Sequence, residues 1–247
     1  MRTLPPLIFI PGLMASQLWD NRAQNKRVWP IWHHDESGKL TGLSIKELIE
    51  TENREACGLF PDAYSELIHF FWSLGYVENQ NLWIFAYDWM QSNVESSRKL
   101  ARLIDEEIGP NAGPIHVIGH SMGGIVAKAA REIHGAPIAR IAFIGTPHFG
   151  TPRSYFAIHP GIDFSFISGF YPKLFSGMLW NAIMKRVEES LPLTESMKLA
   201  AACSESVYEL LPDRSYPLEQ FPLIHVCDNG RGPKPMSDLD EIYFKDG

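Results

Sequence analysis

Ile115-His116-Val117-Ile118-Gly119-His120-Ser121-Met122-Gly123-Gly124 is the stretch that decides the fold. Its first four residues read as a buried strand, and the apolar-periodic run from Ile125 to Ile133 behind the glycines reads as a helix. Between the two the chain must reverse sharply, and Gly119, Gly123 and Gly124 leave room where side chains would collide. A serine at the apex of such a strand-to-helix turn has its hydroxyl thrust out of the backbone, which is what a nucleophile needs. The bland alternative is a glycine-rich turn that holds a serine by chance. The strand before Ser121 and the helix after it favour the nucleophile. His120 and Met122 flank the serine, and neighbours on such an elbow point away from its hydroxyl, so His120 reads as packing or support rather than as a general base.

Working outward, the pattern of strand and helix repeats. Pro6 to Pro11 is a short apolar run ending at Gly12, and Leu82 to Tyr87 is a second one. Residues 62–74 place Tyr64, Leu67, Ile68, Phe71 and Trp72 at helical spacing, with Gly75 as the terminator. Ser92 with Glu95 forms a capping box for a longer helix whose Val94, Leu100, Ile104 and Ile108 share one face. Ser44 with Glu47 marks a shorter helix in the same way. Ile141 to Ile144 is a fourth strand and Pro222 to Val226 a fifth. Strands alternating with helices imply right-handed crossovers and a mostly parallel sheet with helices on both faces, an α/β architecture. The charged, period-free stretch from Asn21 to Gly42 reads as an irregular excursion. Residues 152–205 lack a clear strand and interrupt the alternation as an inserted cap would.

A serine nucleophile attacking a carbonyl generates an oxyanion, and one N–H donor typically contributes about 3 kcal/mol to its stabilisation. The helix after Ser121 offers the Met122 N–H. The loop after the first strand, Pro11-Gly12-Leu13, offers the Leu13 N–H as the second donor. Taken alone, Pro11-Gly12 is an ordinary strand-ending turn; the elbow gives it a second meaning.

The bulk properties bound the rest. A chain of 247 residues that is 45% hydrophobic and 21% charged has the composition of a globular protein, with one domain over residues 1–247 as the expectation. A net charge of −7 gives no electrostatic reason to expect nucleic acid. Neither the dinucleotide-binding nor the phosphate-binding glycine pattern follows the first strand, so no cofactor is expected. Cys57, Cys203 and Cys227 are odd in number and far apart, fitting neither a disulfide framework nor a metal motif. Together with an N-terminus lacking signal-peptide layout, they point to a cytoplasmic setting. The aromatic-rich run from Phe164 to Met184 has the length of a membrane span, but Pro172 and Lys173 near its middle are costly in a bilayer, so a buried or lid segment is expected.

Five pieces occur in order: Ile10-Pro11-Gly12-Leu13, Tyr87-Asp88-Trp89, Gly119 to Gly124, Gly145-Thr146-Pro147 with Gly150, and Tyr208-Glu209-Leu210-Leu211-Pro212. Together they resemble the lecithin:cholesterol acyltransferase-like family of α/β-hydrolases, which includes phospholipid acyltransferases, phospholipases and bacterial acyl hydrolases. The resemblance implies an α/β-hydrolase fold and ester chemistry on acyl lipids through an acyl-Ser121 intermediate, with Leu13 and Met122 as backbone oxyanion donors. It also implies a lid within residues 21–57 and a cap within 152–205. Secreted vertebrate members close the lid with a disulfide, whereas Cys57 has no cysteine nearby. In this fold the triad runs serine, acid, histidine. The terminal Tyr243-Phe244-Lys245-Asp246-Gly247 resembles the strand leading into the family's acid motif, so Asp246 is one weak acid candidate and Asp228, after an apolar run, another.

No histidine follows His225, and His134 and His225 both read as structural, so the expectation is a C-terminal part truncated before the family histidine. The expected substrate is an acyl lipid or other ester, and contact with a membrane or lipid surface stays open. The alternative is a non-catalytic acyl-lipid or membrane-surface binding module that keeps the scaffold and its groove.

Overall fold

The computed structural model describes residues 4–23, 26–34, 36–37, 40–109, 113–151, 154, 158, 199–212, 226–228 and 231–234. Four parallel strands form its centre: β1 (Leu7–Ile10), β7 (Leu82–Ile84), β8 (Ile115–His120) and β9 (Ile138–Ile144), in the order β7-β1-β8-β9. Every residue of β1 is buried, with Leu7 and Phe9 packing to one side and Ile8 and Ile10 to the other. That is why its sequence is continuously apolar rather than alternating.

The Leu7/Phe9 side is covered by α2 (Pro61–Ser73) through Tyr64, Ile68 and Phe71. The Ile8/Ile10 side is covered by α3 (Asn93–Leu103) and α4 (Met122–Glu132) through Leu100, Val126 and Ala127. The chain leaves β1 over one face to reach β7, then crosses back over the other face to β8. Adjacent strands whose connections depart to opposite faces open a crevice at their carboxyl ends, where α/β proteins bind ligands. Here those strands are β1 and β8, and Ile10 stands opposite Gly119. The loop after β1 and the elbow after β8 therefore begin side by side.

The sequence reading differs from the structure in several places. The stretch from Asn21 to Gly42 is not irregular: β3 (Lys26–Trp29) joins β2 (Ser16–Asp20) and β6 (Arg54–Leu59) in an antiparallel sheet ordered β3-β2-β6, and β4 (Ile31–His34) pairs with β5 (Leu40–Ser44). β2 finds its partner β6 across a long insertion, with Ser16 opposite Leu59, so the order comes from distant pairing that no local period reports. Ser44 ends β5 and does not cap α1 (Lys46–Glu50), whose N-cap is Ile45. Ser92 does cap α3, accepting the Val94 N–H at 3.1 Å.

Val94, expected on the apolar face, is exposed, while Asn93, Ser96 and Ser97 are buried. The first turn of α3 is held by hydrogen bonds rather than by apolar packing. From α3 the chain continues into a π-helical turn, Ile104–Ile108. α4 begins earlier than expected, at Met122 directly after Ser121. At the expected fifth strand the described residues show β10 (Val226–Asp228) antiparallel to β11 (Arg231–Lys234). Most of the expected cap and the segment Phe164 to Met184 lie outside the described residues. Among those described, no helix is long and apolar enough to cross a membrane.

Candidate active site

Ser121 sits between β8 and α4 with φ 52° and ψ −126°, a conformation that non-glycine residues rarely adopt. Such a residue carries on the order of 1–3 kcal/mol of strain and persists only where its surroundings over-determine it. Here the Ser121 N–H donates to the Ile144 carbonyl at 2.8 Å, and its carbonyl accepts from the Gly124 N–H at 3.1 Å. The three glycines are needed for contact as well as flexibility. A Cβ on Gly119 would lie 2.5 Å from Gly124 Cα, and one on Gly123 would lie 2.5 Å from the Ile10 carbonyl oxygen. A Cβ on Gly124 would collide with the Thr146 side chain. Helix, strand and neighbouring loop thus meet backbone to backbone.

The loop after β1 lies against this elbow. A Cβ on Gly12 would stand 3.0 Å from Ser121 Cβ and 2.9 Å from His120 Nδ1. Its course is a tight turn: the Ala15 N–H donates to the Gly12 carbonyl at 3.3 Å, with Met14 at φ 64°. Side chains from other segments hold it. The Trp29 indole N–H donates to the Met14 carbonyl at 3.1 Å, the Tyr87 hydroxyl donates to the Pro11 carbonyl at 3.1 Å, and the Gly12 N–H donates to the Tyr64 hydroxyl at 3.0 Å.

Among the described residues, no acceptor takes the N–H of Leu13 or Met122 and no hydrogen bond reaches Ser121 Oγ. With the position of Gly12 lying against Ser121, these are the two amides that the sequence reading names as oxyanion donors.

Burial sets the electrostatics. It pushes the Tyr64 and Tyr87 hydroxyls well above the usual phenol range, so both stay protonated. It pushes the His120 imidazole below its usual value, so the ring is neutral near pH 7. His120 Nδ1 lies 2.7 Å from the Tyr64 oxygen. His120 is accordingly engaged away from the serine, as its position on the elbow suggests. His134 Nε2 lies 3.3 Å from the Val94 carbonyl beyond the far end of α4, and His148 packs edge-on to Phe143 with centroids 4.6 Å apart.

Of the two acid candidates, Asp228 falls in β10 and Asp246 lies outside the described residues. Among the described residues no three His, Cys, Asp or Glu side chains converge as a metal site would require.

The remaining motif residues hold the framework. Asp88 is buried and accepts from Arg54 Nε and from the Met90 N–H, both at 3.0 Å, while the Arg54 guanidinium also donates to the Leu48 carbonyl at 3.1 Å. This pair fastens the antiparallel layer to the loop after β7. Removing one partner from such a buried pair typically costs about 3–5 kcal/mol. Trp89 packs edge-on to Trp29 with centroids 5.1 Å apart, and its carbonyl accepts the Ser206 hydroxyl from α5 (Glu205–Tyr208). Just beyond α5, the Glu209 carboxylate accepts the Ser92 hydroxyl at 2.6 Å and the Asn93 N–H at 2.7 Å, closing the start of α3.

Tyr64 is the residue the sequence undervalued. Its helical spacing marked it as core, and the overlooked signal was its hydroxyl, which needs a partner when buried.

A doubly wound parallel sheet with a strained serine at the strand-helix elbow and a loop from the adjacent strand lying over it defines an α/β-hydrolase. A model of the lecithin:cholesterol acyltransferase family matches residues 51–235, and the chain belongs to that family. Among solved structures, the crystal structure of the Tle4-Tli4 complex aligns with a TM-score of 0.50 at 18% identity, over 64% of this chain and 48% of that one. The crystal structure of Bacillus licheniformis lipase BlEst2 in mature form aligns with a TM-score of 0.43 at 15% identity, over 79% of this chain and 62% of that one. The chain thus spans less than two thirds of either structure. No curated protein matches it.

Proposed function

We propose that this chain carries out hydrolysis or O-acyl transfer on a lipid ester through an acyl-Ser121 intermediate. The observation that carries the reading is the strained Ser121 at the end of β8 with the Gly12 loop packed against it. In this reading Ser121 Oγ attacks the ester carbonyl carbon and its proton passes to a base. The carbonyl oxygen takes up the negative charge against the Leu13 and Met122 N–H groups. Collapse of the tetrahedral intermediate expels the alcohol, which leaves protonated. Water or an acceptor alcohol then attacks the acyl-serine and returns the enzyme. Asp228 and Asp246 remain the acid candidates of this reading.

The lack of a hydrogen-bonded base on Ser121 Oγ among the described residues favours a second reading, a non-catalytic acyl-lipid binding module. A fluorophosphonate probe and short-chain p-nitrophenyl esters separate the two. Labelling at Ser121 with ester turnover, both lost in a folded Ser121→Ala variant, is the expected result. A folded sample that is neither labelled nor active, yet sediments with phosphatidylcholine vesicles, replaces the catalytic reading with the binding one.

A further inference from the structure

Tyr64 comes from α2 and Tyr87 from the loop after β7, yet their hydroxyls engage the two ends of one amide. Tyr87 donates to the Pro11 carbonyl at 3.1 Å, and the N–H of that same amide, on Gly12, donates to Tyr64 at 3.0 Å. Both tyrosines are buried. A peptide unit is planar, so hydrogen bonds to its C=O and N–H on opposite sides fix its rotation about the chain. The next amide is fixed as well. Its carbonyl, on Gly12, accepts from Ala15, so its N–H, on Leu13, faces the opposite way.

Donor inventory fixes the direction of the Tyr64 hydrogen bond with Gly12, and the direction of the one with His120 is part of the inference. The Gly12 N–H can only donate, so the Tyr64 oxygen accepts there. The single Tyr64 hydroxyl proton is then assigned to His120 Nδ1, 2.7 Å away. That direction of donation goes with the neutral His120 tautomer that carries its proton on Nε2, and burial, by lowering the pKa, favours the neutral ring. One hydroxyl links the loop carrying Leu13 to the residue immediately before Ser121.

We propose that Tyr64 and Tyr87 are positioning residues that clamp the Pro11-Gly12 amide, with His120 orienting the Tyr64 hydroxyl, and so hold the Leu13 N–H in register with Ser121. This rests on the acyl-serine reading above. The clamp explains why a loop with a glycine at its centre keeps one course: the Pro11-Gly12 amide is bonded at both ends, and the Gly12 and Met14 carbonyls are bonded beyond it.

The test uses the full chain and Tyr64→Phe, which keeps the ring that packs edge-on against Phe9 at 4.9 Å. Amide exchange followed by ¹⁵N NMR reads the clamp without any need for turnover. The Gly12 amide is expected to be protected in the parent chain and to exchange at least ~10-fold faster in the variant, with β1 and β8 otherwise unchanged. The ¹⁵N shift of His120 Nδ1 is expected to move as its hydrogen bond is lost. Fluorophosphonate labelling and p-nitrophenyl ester kcat are expected to fall ~10- to 100-fold with KM little changed, the signature of a misplaced oxyanion donor.

A parent chain that is not labelled defeats the acyl-serine reading, while Gly12 exchange still decides the clamp. Gly12 exchange that is unchanged in the variant overturns the proposal. So does unchanged labelling once Gly12 protection has been lost. Should Tyr64→Phe not fold, Tyr87→Phe attacks the same amide from its other end, and the same losses are expected of it.

Discussion

The two loops that meet at Ser121 are built on different principles. The elbow after β8 is held by its own backbone, with glycines at 119, 123 and 124 so close to neighbouring atoms that no side chain fits. The loop after β1 is held by side chains delivered from elsewhere: Trp29, Tyr64 and Tyr87. The first kind of loop is specified where it stands, and the second by residues up to 76 positions away. Both carry a non-glycine residue at positive φ, Ser121 and Met14. In each case surrounding hydrogen bonds sustain a conformation the residue would leave if free.

Three substitutions or conditions set this contrast at risk. Gly123→Ala is expected to have the largest effect, a loss of about 3 kcal/mol or more, because the new methyl meets the backbone carbonyls of Ile10 and Pro11, which cannot rotate aside. Urea unfolding measures it, and a loss below about 1 kcal/mol would mean that the elbow yields more easily than its contacts indicate.

Trp29→Phe retains an aromatic ring against Trp89 but removes the donor to the Met14 carbonyl, and a loss of about 1 kcal/mol is expected. A stability change indistinguishable from zero would show that the turn at Met14 holds without this bond.

The smallest effect is that of pH. Burial lowers the folded-state pKa of His120, so below the ordinary histidine value of about 6.5 the unfolded chain takes a proton that the folded one refuses. Its contribution is present above that pH and is lost as pH falls toward the folded-state pKa. Unfolding midpoints at pH 7.5 and 5.5 should differ less in His120→Gln than in the parent chain; equal differences would remove His120 from the account.

The same contrast explains what the sequence made legible. The elbow could be read because its requirements are local: an apolar strand, three glycines and an apolar-periodic helix lie within one short stretch. β1, α2 and α3 could be read for the same reason, through the continuous apolar run at Leu7–Ile10 and the helical spacing of Ile68 and Phe71 or Leu100 and Ile104.

The antiparallel layer could not. β2 pairs with β6 across an insertion, and Lys26 and Arg27 at the start of β3 are exposed while Val28 and Trp29 are buried, which breaks the alternation that marks a strand. Ser44 and Ser92 carry the same capping signature, yet only Ser92 caps, because β5 takes Ser44 into its own pairing opposite Ile31. The strand-loop and elbow pattern points to the Leu13 and Met122 N–H groups, whereas Tyr64 reaches the Gly12 N–H only through the packing of α2 on β1, which no local pattern reports.

The Glu209 contact with Ser92 bears on how the protein comes into being. The two residues are separated by 117 positions, so during synthesis the start of α3 leaves the ribosome well before the carboxylate that closes it. At about 5–20 residues per second the delay is on the order of ten seconds. β8 and β9 emerge within that interval and are free to pair, while the Asn93 N–H at the start of the third helix waits for its acceptor. Assembly of this sheet is therefore finished from behind, by a segment that plays no part in the strands it secures.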